Sequence, residues 1–164
     1  LKGAGFRTPN KVFVHGFLTV NGEKMSKSKG TQITARSFLN HIDPEYLRYY
    51  LACKMNSGID DFDFSTEDFH HRVNSDLVGK ITNLASRSAQ MLNKKLDGQL
   101  TQAEAEGLKL IYKTQEKSKE IEEFYENFDF AKVINEVRAL ADETNRYFDE
   151  KAPWKTIKEN PQAA

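Results

Sequence analysis

The sequence predicts a mostly helical protein in which a short strand and a lysine-rich loop lead into a small mixed region and then an antiparallel helical bundle. The strand is predicted by an apolar, partly β-branched run over residues 12–20 that ends at Asn21-Gly22. The bundle is predicted by three long segments between residues 65 and 152, which contain no proline and repeat apolar residues at helical spacing.

Composition excludes several classes of protein. The 164 residues are enough for one ordinary domain or two small ones. The single cysteine, Cys53, rules out an internal disulfide and indicates a reducing compartment, and its apolar surroundings predict packing rather than nucleophilic chemistry. The four histidines lack metal-ligand spacing, so we predict no metal site in this chain. No apolar run is long enough to span a membrane, and no membrane partner is expected.

Charge is balanced in total but not along the chain. Lysine plus arginine and aspartate plus glutamate number 24 each, yet residues 1–60 hold nine basic and only four acidic side chains. The basic excess therefore lies in the first part, where it weakly supports binding of a polyanion.

The segment from Gly22 to Gly30, called here the lysine loop, suits phosphate chemistry. Its polar side chains are three lysines and two serines: Lys24, Lys27, Lys29, Ser26 and Ser28. Ammonium groups and hydroxyls can both bind phosphate oxygens, and the flanking glycines let the backbone bend towards a ligand. On charge alone, a solvated basic hairpin without a ligand is the simpler interpretation.

Short elements are predicted between the loop and the bundle. Residues 34–39 form a helical turn with Phe38 and Leu39 facing inward. Asp43 is predicted to be an N-cap and Pro44 the first residue of the next helix.

Residues 60–64 alternate polar and apolar side chains and predict a short extended segment. Ser65, followed three residues later by Asp68, then opens the longest helix, which is expected to end near Leu96. The predicted core stripe of this helix consists of Leu77, Ile81, Leu84, Ser88 and Leu92. A separate polar stripe is predicted on the neighbouring face, at Asp76, Lys80, Asn83, Arg87, Gln90 and Lys94.

Two further long helices complete the bundle. Thr101 and Glu104 form a second capping-box pattern, and Asp129 is the predicted N-cap of a helix that ends at Ala152. A polar tail is expected to follow Trp154 and to run to the last residue.

The lysine loop contains Lys24-Met25-Ser26-Lys27-Ser28, which resembles the KMSKS signature of class I aminoacyl-tRNA synthetases. Further segments match a family in order over nearly the whole chain: Val14-His15-Gly16-Phe17-Leu18-Thr19-Val20-Asn21-Gly22-Glu23, Asp43-Pro44-Glu45-Tyr46-Leu47-Arg48-Tyr49-Tyr50, Ile59-Asp60-Asp61-Phe62-Asp63, Asn83-Leu84-Ala85-Ser86-Arg87 and Ala152-Pro153-Trp154. Together with the signature, they narrow the resemblance to the methionyl-tRNA synthetases.

The resemblance implies a role for each half of the chain. Residues 1–64 would be the end of a catalytic domain, with the KMSKS loop and a stem-contact region, and residues 65–164 part of a helical anticodon-binding domain. The loop would close on ATP, accompanied by Mg²⁺, while methionine is activated to methionyl-adenylate for transfer to tRNA(Met). Lys24 and Lys27 would be catalytic, and the ATP-binding set would be Lys24, Met25, Ser26, Lys27 and Ser28.

The residues that match the family's anticodon readers are Asn83, Arg87 and Trp154. Asn83 and Arg87 are four residues apart and so share a helix face, where an amide and a guanidinium can bind base edges. Trp154 can offer a stacking surface to an unstacked base. By pattern alone, the first two would belong to a solvated helix face and the tryptophan would cap a core.

The family's upstream half, with its HIGH signature, methionine pocket and zinc-bearing insertion, has no counterpart here, and Val14-His15-Gly16-Phe17 is not that signature. The sequence is therefore expected to be a C-terminal piece of a cytoplasmic enzyme, unable on its own to form methionyl-adenylate. One alternative is a stand-alone tRNA-binding helical module without catalysis. Another is a structural helical protein with an incidental basic loop.

Overall fold

The structure is a computed structural model that describes residues 1–159, so the last part of the predicted polar tail lies outside it. In chain order, a short 3₁₀ turn (Lys2–Ala4) precedes β1 (Leu18–Val20), β2 (Glu23–Lys24), α1 (Ala35–Leu39), α2 (Pro44–Lys54), β3 (Phe62–Phe64), α3 (Thr66–Arg72), a π-helix (Val73–Thr82), α4 (Asn83–Lys95), α5 (Ala105–Glu126), α6 (Phe130–Lys151) and α7 (Pro153–Glu159). The mostly helical fold class is confirmed.

The strands form one small sheet in the order β2-β1-β3. Strand β1 is antiparallel to β2 and parallel to β3, with Thr19 opposite both Lys24 and Asp63. The prediction of a buried strand over residues 12–20 was wrong for its first two-thirds, because only Leu18–Val20 pairs and Val12 is 73% exposed. The Phe17 carbonyl does accept a hydrogen bond from the Phe62 N–H at 3.0 Å, but residues 12–17 are not part of the sheet, because apolar composition alone does not decide where a strand pairs.

The turn between β1 and β2 explains why the Asn21-Gly22 pair ends the strand. Asn21 has φ 50° and Gly22 has φ 78°. Two successive positive φ values are what a tight hairpin between right-handedly twisted strands requires, and Asn-Gly adopts them at low cost. The lysine loop therefore starts inside a hairpin.

An aromatic cluster forms the core of the region that contains the sheet and helices α1 to α3. Tyr50, Phe64 and Phe69 are buried, and their ring centroids lie 5.4–5.9 Å apart. Phe38 packs edge-on against Phe69 at 5.6 Å, as its predicted inward orientation requires. The same prediction for Leu39 was wrong, since that side chain is 51% exposed.

The helical starts that depend on capping residues are mostly where predicted. Asp43 accepts a hydrogen bond from the Glu45 N–H at 2.9 Å, with Pro44 at the first helical position. Ser65 accepts from the Asp68 N–H at 3.4 Å. Thr101 is not a cap, because α5 begins only at Ala105.

The single helix predicted over residues 65–96 is divided into α3, the π-helix and α4, and the π-helix alters which of its side chains are buried. A π-helix bonds residue i to i+5, so side chains rotate out of the phase that α-helical spacing predicts. Ile81, a predicted core residue inside the π-helix, is 37% exposed, whereas the other predicted core residues are part-buried: Leu77, Leu84, Ser88 and Leu92. Asp76 and Lys80, predicted on a separate polar face, instead lie against α6, where Asp76 pairs with Arg138 and Lys80 with Asp142.

Helices α5 and α6 form an antiparallel hairpin joined by residues 127–129, and α6 also packs on α2 and the π-helix. The predicted polar tail after Trp154 was wrong at its start, because α7 spans Pro153–Glu159. Pro153 at the first helical position and Ala152 in the left-handed conformation allow the chain to end one helix and begin another.

Direct contacts join the region around the sheet to the segment where α5 ends and α6 begins. The Ala131 N–H donates to the Met55 carbonyl at 2.8 Å, and the Ser57 N–H donates to the Asp129 carboxylate at 3.1 Å. The rings of Phe13 and Phe128 stack with centroids 3.8 Å apart. The region around the sheet is therefore fixed to the start of α6.

We expect Gly16→Ala to destabilise the protein by about 1–3 kcal/mol, the usual cost of overpacking a tight site. Gly16 is buried, and a Cβ atom there would overlap the backbone carbonyl of Asp60. Gly3→Ala is the matched control, because a Cβ at Gly3 would meet nothing within 4 Å. Urea unfolding of both variants measures the difference, and equal midpoints would contradict this close approach.

Candidate functional site

The lysine loop is closed by its own backbone and hydroxyl groups. The Thr31 N–H donates to the Ser26 carbonyl at 3.2 Å, and the Ser26 N–H donates to Thr31 Oγ1 at 3.0 Å. The hydroxyls of Ser26 and Ser28 lie 3.0 Å apart. Gly30, at φ 69°, completes the turn that begins at Lys27. These bonds shape the loop around residues 26–31.

The charges of the loop remain available to a ligand. Lys24, Lys27 and Lys29 are exposed, and no carboxylate among residues 1–159 lies within ion-pairing distance of any of them. The Lys24 ammonium lies 5.4 Å from the centre of the Phe17 ring, a weak contact at an exposed position. Three unneutralised ammonium groups and two hydroxyls on one loop can bind a polyphosphate.

Asp63 anchors the hairpin that carries the loop. Its Oδ1 atom accepts hydrogen bonds from the Thr19 hydroxyl at 2.6 Å and from the Gly22 N–H at 2.8 Å. These two bonds, the Thr19 hydroxyl first, lower the pKa of the Asp63 carboxyl. The carboxylate consequently stays charged well into the acidic range.

A second candidate site lies where α4, α6 and α7 meet. The Arg87 guanidinium lies 4.8 Å from the Phe148 ring centre and 5.4 Å from that of Trp154, and it bonds the Asp149 carboxylate at 2.8 Å. The two rings are themselves 5.7 Å apart. Because Trp154 is 39% exposed, part of its ring is open to a planar ligand.

The structure thus brings Arg87 and Trp154 together across 67 residues of sequence. Asn83 lies one helical turn before Arg87, with an exposed side chain. Sequence reasoning missed Phe148 and Asp149 at this cluster, because no local pattern connects them to a residue about sixty positions away. Within residues 1–159, no hydrogen bond, ion pair or aromatic contact joins this cluster to the lysine loop.

A groove of about 370 Å³ continues from Trp154 along the end of α4. Its floor includes the apolar side chains of Met91 and Ile157. Three lysines surround it, and its full lining is Gln90, Met91, Lys94, Lys95, Trp154, Ile157 and Lys158. An apolar floor beside ammonium groups suits a ligand that combines planar rings with phosphates.

Within residues 1–159, no three His, Cys, Asp or Glu side chains are grouped so as to hold a metal ion. None of the helices described is both long and apolar enough to cross a membrane. Burial raises the pKa of the half-buried Cys53 thiol, which leaves it a poor nucleophile.

Comparison with known proteins finds relatives along the whole chain. Residues 1–89 match the family model described as "tRNA synthetases class I (M)", and residues 97–164 match "Anticodon binding domain of methionyl tRNA ligase". The methionine–tRNA ligase of Bdellovibrio bacteriovorus is 60% identical over 162 residues, which are 99% of this chain and 24% of that protein. The chain therefore spans about a quarter of the length of this relative.

Solved structures agree with these matches. Mycobacterium tuberculosis methionyl-tRNA synthetase in complex with methionyl-adenylate superposes with a TM-score of 0.84 at 28% identity, over 99% of this chain and 33% of that one. The apo form of that enzyme, at 23% identity, shares the fold with a TM-score of 0.78 over 96% of this chain and 30% of that one. Since one family model covers more than half of its residues, the chain belongs to the methionyl-tRNA synthetase family.

Proposed function

We propose that this chain is part of a longer, cytoplasmic methionine–tRNA ligase, to which it supplies the ATP-phosphate loop and anticodon recognition. The observation that carries the proposal is the lysine loop, whose ammonium groups are exposed and lack carboxylate partners among residues 1–159. In this division, residues 1–64 are the end of the catalytic domain with the stem-contact region. Residues 65–164 are part of the anticodon-binding domain.

In the parent enzyme, ATP would provide the adenylyl group for methionine and release pyrophosphate, before the methionyl group is transferred to tRNA(Met). Lys24 and Lys27 are the proposed catalytic residues, because they can neutralise the triphosphate and the charge that develops on the departing pyrophosphate. Ser26 and Ser28 add hydroxyl donors, and the half-buried Met25 completes the proposed ATP-binding set. Mg²⁺ would arrive with the nucleotide, since residues 1–159 offer no metal-binding cluster.

Recognition of tRNA(Met) is proposed at Asn83, Arg87 and Trp154. The contact of the Arg87 guanidinium with the Trp154 ring, at 5.4 Å, supports this set because it presents a planar cation and an aromatic face together. Unstacked anticodon bases are recognised through such stacking surfaces and through hydrogen bonds to base edges. The exposed amide of Asn83 is placed to add a donor and an acceptor.

The proposal predicts that the chain prefers the methionine anticodon. At fixed salt, an anticodon stem-loop with CAU should bind more tightly than one with a single changed anticodon base. Trp154→Ala should remove the preference, because loss of one stacked base costs on the order of 1–3 kcal/mol. Fluorescence anisotropy with both stem-loops measures the two affinities.

Tyr112→Ala is a matched control, because Tyr112 is an exposed aromatic residue on α5 outside the cluster. Equal, salt-sensitive binding of both stem-loops by the unmodified chain would mean that only phosphate is recognised, and would contradict the anticodon assignment.

A stand-alone tRNA-binding module remains the second candidate, favoured because no hydrogen bond, ion pair or aromatic contact within residues 1–159 joins the Arg87–Trp154 cluster to the lysine loop. It predicts anticodon binding but no role for the loop in chemistry. Methionine-dependent exchange of pyrophosphate into ATP by the parent protein distinguishes the two, since a pure binding module has no such activity. The isolated chain is not expected to catalyse this exchange, because methionine would be bound by other parts of the enzyme.

A further inference from the structure

One carboxylate oxygen holds both sides of the turn that leads into the lysine loop. Asp63 Oδ1 accepts from the Thr19 hydroxyl on β1 and from the Gly22 N–H on the turn, at 2.6 and 2.8 Å. Strand β2 has only two residues, Glu23 and Lys24, and its pairing with β1 is correspondingly short. The Asp63 side chain therefore provides a substantial share of the bonds that orient this hairpin.

The backbone of the same residue is fixed to the core. The Asp63 carbonyl accepts a hydrogen bond from the Tyr50 hydroxyl at 3.3 Å and from the Lys54 ammonium at 3.0 Å. Tyr50 is fully buried, and Lys54 also pairs with Asp68 at 2.7 Å. The carboxylate thus extends from a rigid position and transmits that rigidity to the turn.

We propose that Asp63 is a positioning residue for adenylate formation, which orients the lysine loop by holding Thr19 and Gly22. This inference rests on the function proposed above. Lys24 lies opposite Thr19 in the hairpin and two residues after Gly22, so a shift of the turn displaces its ammonium group directly. Electrostatic stabilisation of a transition state depends on such placement, because the charge must already be in position when the reaction occurs.

Asp63 and the nearby Asp61 hold different parts of the chain. Asp61 also accepts a backbone bond, from the Phe17 N–H at 2.7 Å, but that bond lies before β1 and not at the turn. The turn makes one other hydrogen bond to β3, in which the Asn21 N–H donates to the Phe64 carbonyl at 3.1 Å. Loss of the Asp63 side chain should therefore loosen the hairpin without unfolding the core, whose bonds use the Asp63 backbone.

The test compares variants of the full-length parent enzyme in methionine-dependent exchange of pyrophosphate into ATP. Asp63→Ala is expected to lower kcat by roughly 10–100-fold, the scale of effect produced by misplacing a reacting group by about 1 Å. The KM for methionine and the affinity for the CAU stem-loop should not change, because neither depends on the turn. Asp63→Asn keeps the accepting Oδ1 atom and should retain kcat to within about threefold, well below the loss expected from misplacement.

Thr19→Val removes one of the two bonds while keeping the shape of the side chain, and should lower kcat in the same direction. Asp61→Ala is the matched control and should leave kcat near that of the unmodified enzyme. If Asp63→Ala keeps full kcat while Lys27→Ala loses it, the positioning role is wrong and the proposed function stands. If Lys27→Ala also keeps full activity, the proposed function itself fails. An Asp63→Asn variant as impaired as Asp63→Ala would overturn the hydrogen-bonding role.

Discussion

Lys27→Ala in the parent enzyme is expected to lower the rate of methionyl-adenylate formation by about 10²–10³-fold, the usual loss when one group that stabilises transition-state charge is removed. The Lys27 side chain is exposed and makes no ion pair within residues 1–159, so its removal takes away charge and little packing. The unfolding temperature should be unchanged. Single-turnover formation of the adenylate measures the rate, and thermal unfolding monitors the fold.

Lys29→Ala is the control for this prediction. Lys29 lies in the same loop and is equally exposed, but it lies outside the five residues that match the family signature. A loss of only a few-fold is expected, from the general reduction of positive charge near a polyanion. Full activity of Lys27→Ala would support the interpretation of the loop as an incidental basic hairpin.

Asp76→Ala is expected to destabilise the protein by about 2–4 kcal/mol, somewhat less than the loss of one partner from a fully buried ion pair, because Arg138 is left partly buried without its carboxylate. Asp76 is 1% exposed and meets two elements at once. Its Oδ1 atom lies 3.1 Å from Arg138 Nε on α6, and its Oδ2 atom accepts from the Tyr49 hydroxyl on α2 at 3.0 Å. The Arg138 Nε makes no hydrogen bond within residues 1–159, so its contact with Asp76 is an ion pair alone.

Removal of Asp76 also lowers stability by leaving the Tyr49 hydroxyl without its acceptor. Burial, followed by the nearby Cys53 and Asp76, raises the pKa of Tyr49, so the phenol stays neutral and must donate its hydrogen to an acceptor. Without Asp76, a part-buried hydroxyl and a guanidinium both lose a partner.

Urea unfolding of Asp76→Ala and of Asp142→Ala tests this prediction. Asp142 pairs with Lys80 at 2.6 Å on the same two elements, but its side chain is largely exposed, so its loss should cost only about 0–1 kcal/mol. Similar losses in the two variants would show that burial of Asp76 does not matter. Asp76→Ala should also weaken the CAU preference at temperatures where the junction of α2, the π-helix and α6 has opened.

Short-range sequence patterns were sufficient to predict where α2 and α3 begin and which chemical groups the lysine loop carries. The caps of these helices act over two or three residues. The side chains of Asp43 and Ser65 accept backbone hydrogen bonds at the predicted helix starts. The failure at Thr101 shows the limit of such signals. A capping pattern is compatible with a helix start, but only the packing of α5 on α6 decides which turn is stable.

By itself, the sequence determined the mostly helical class, the exposed lysine loop and the residue types available for binding, because these depend on composition and on short-range spacing. Only the tertiary structure decided which face of the π-helix is buried, that Asp76 lies inside the protein and that Arg87 contacts Trp154. It also decided that residues 12–17 lie outside the sheet and that Asp63 holds the turn 41 residues before it. These features depend on contacts between residues far apart in the chain, and the periodicity of one segment contains no information about the partner it will meet.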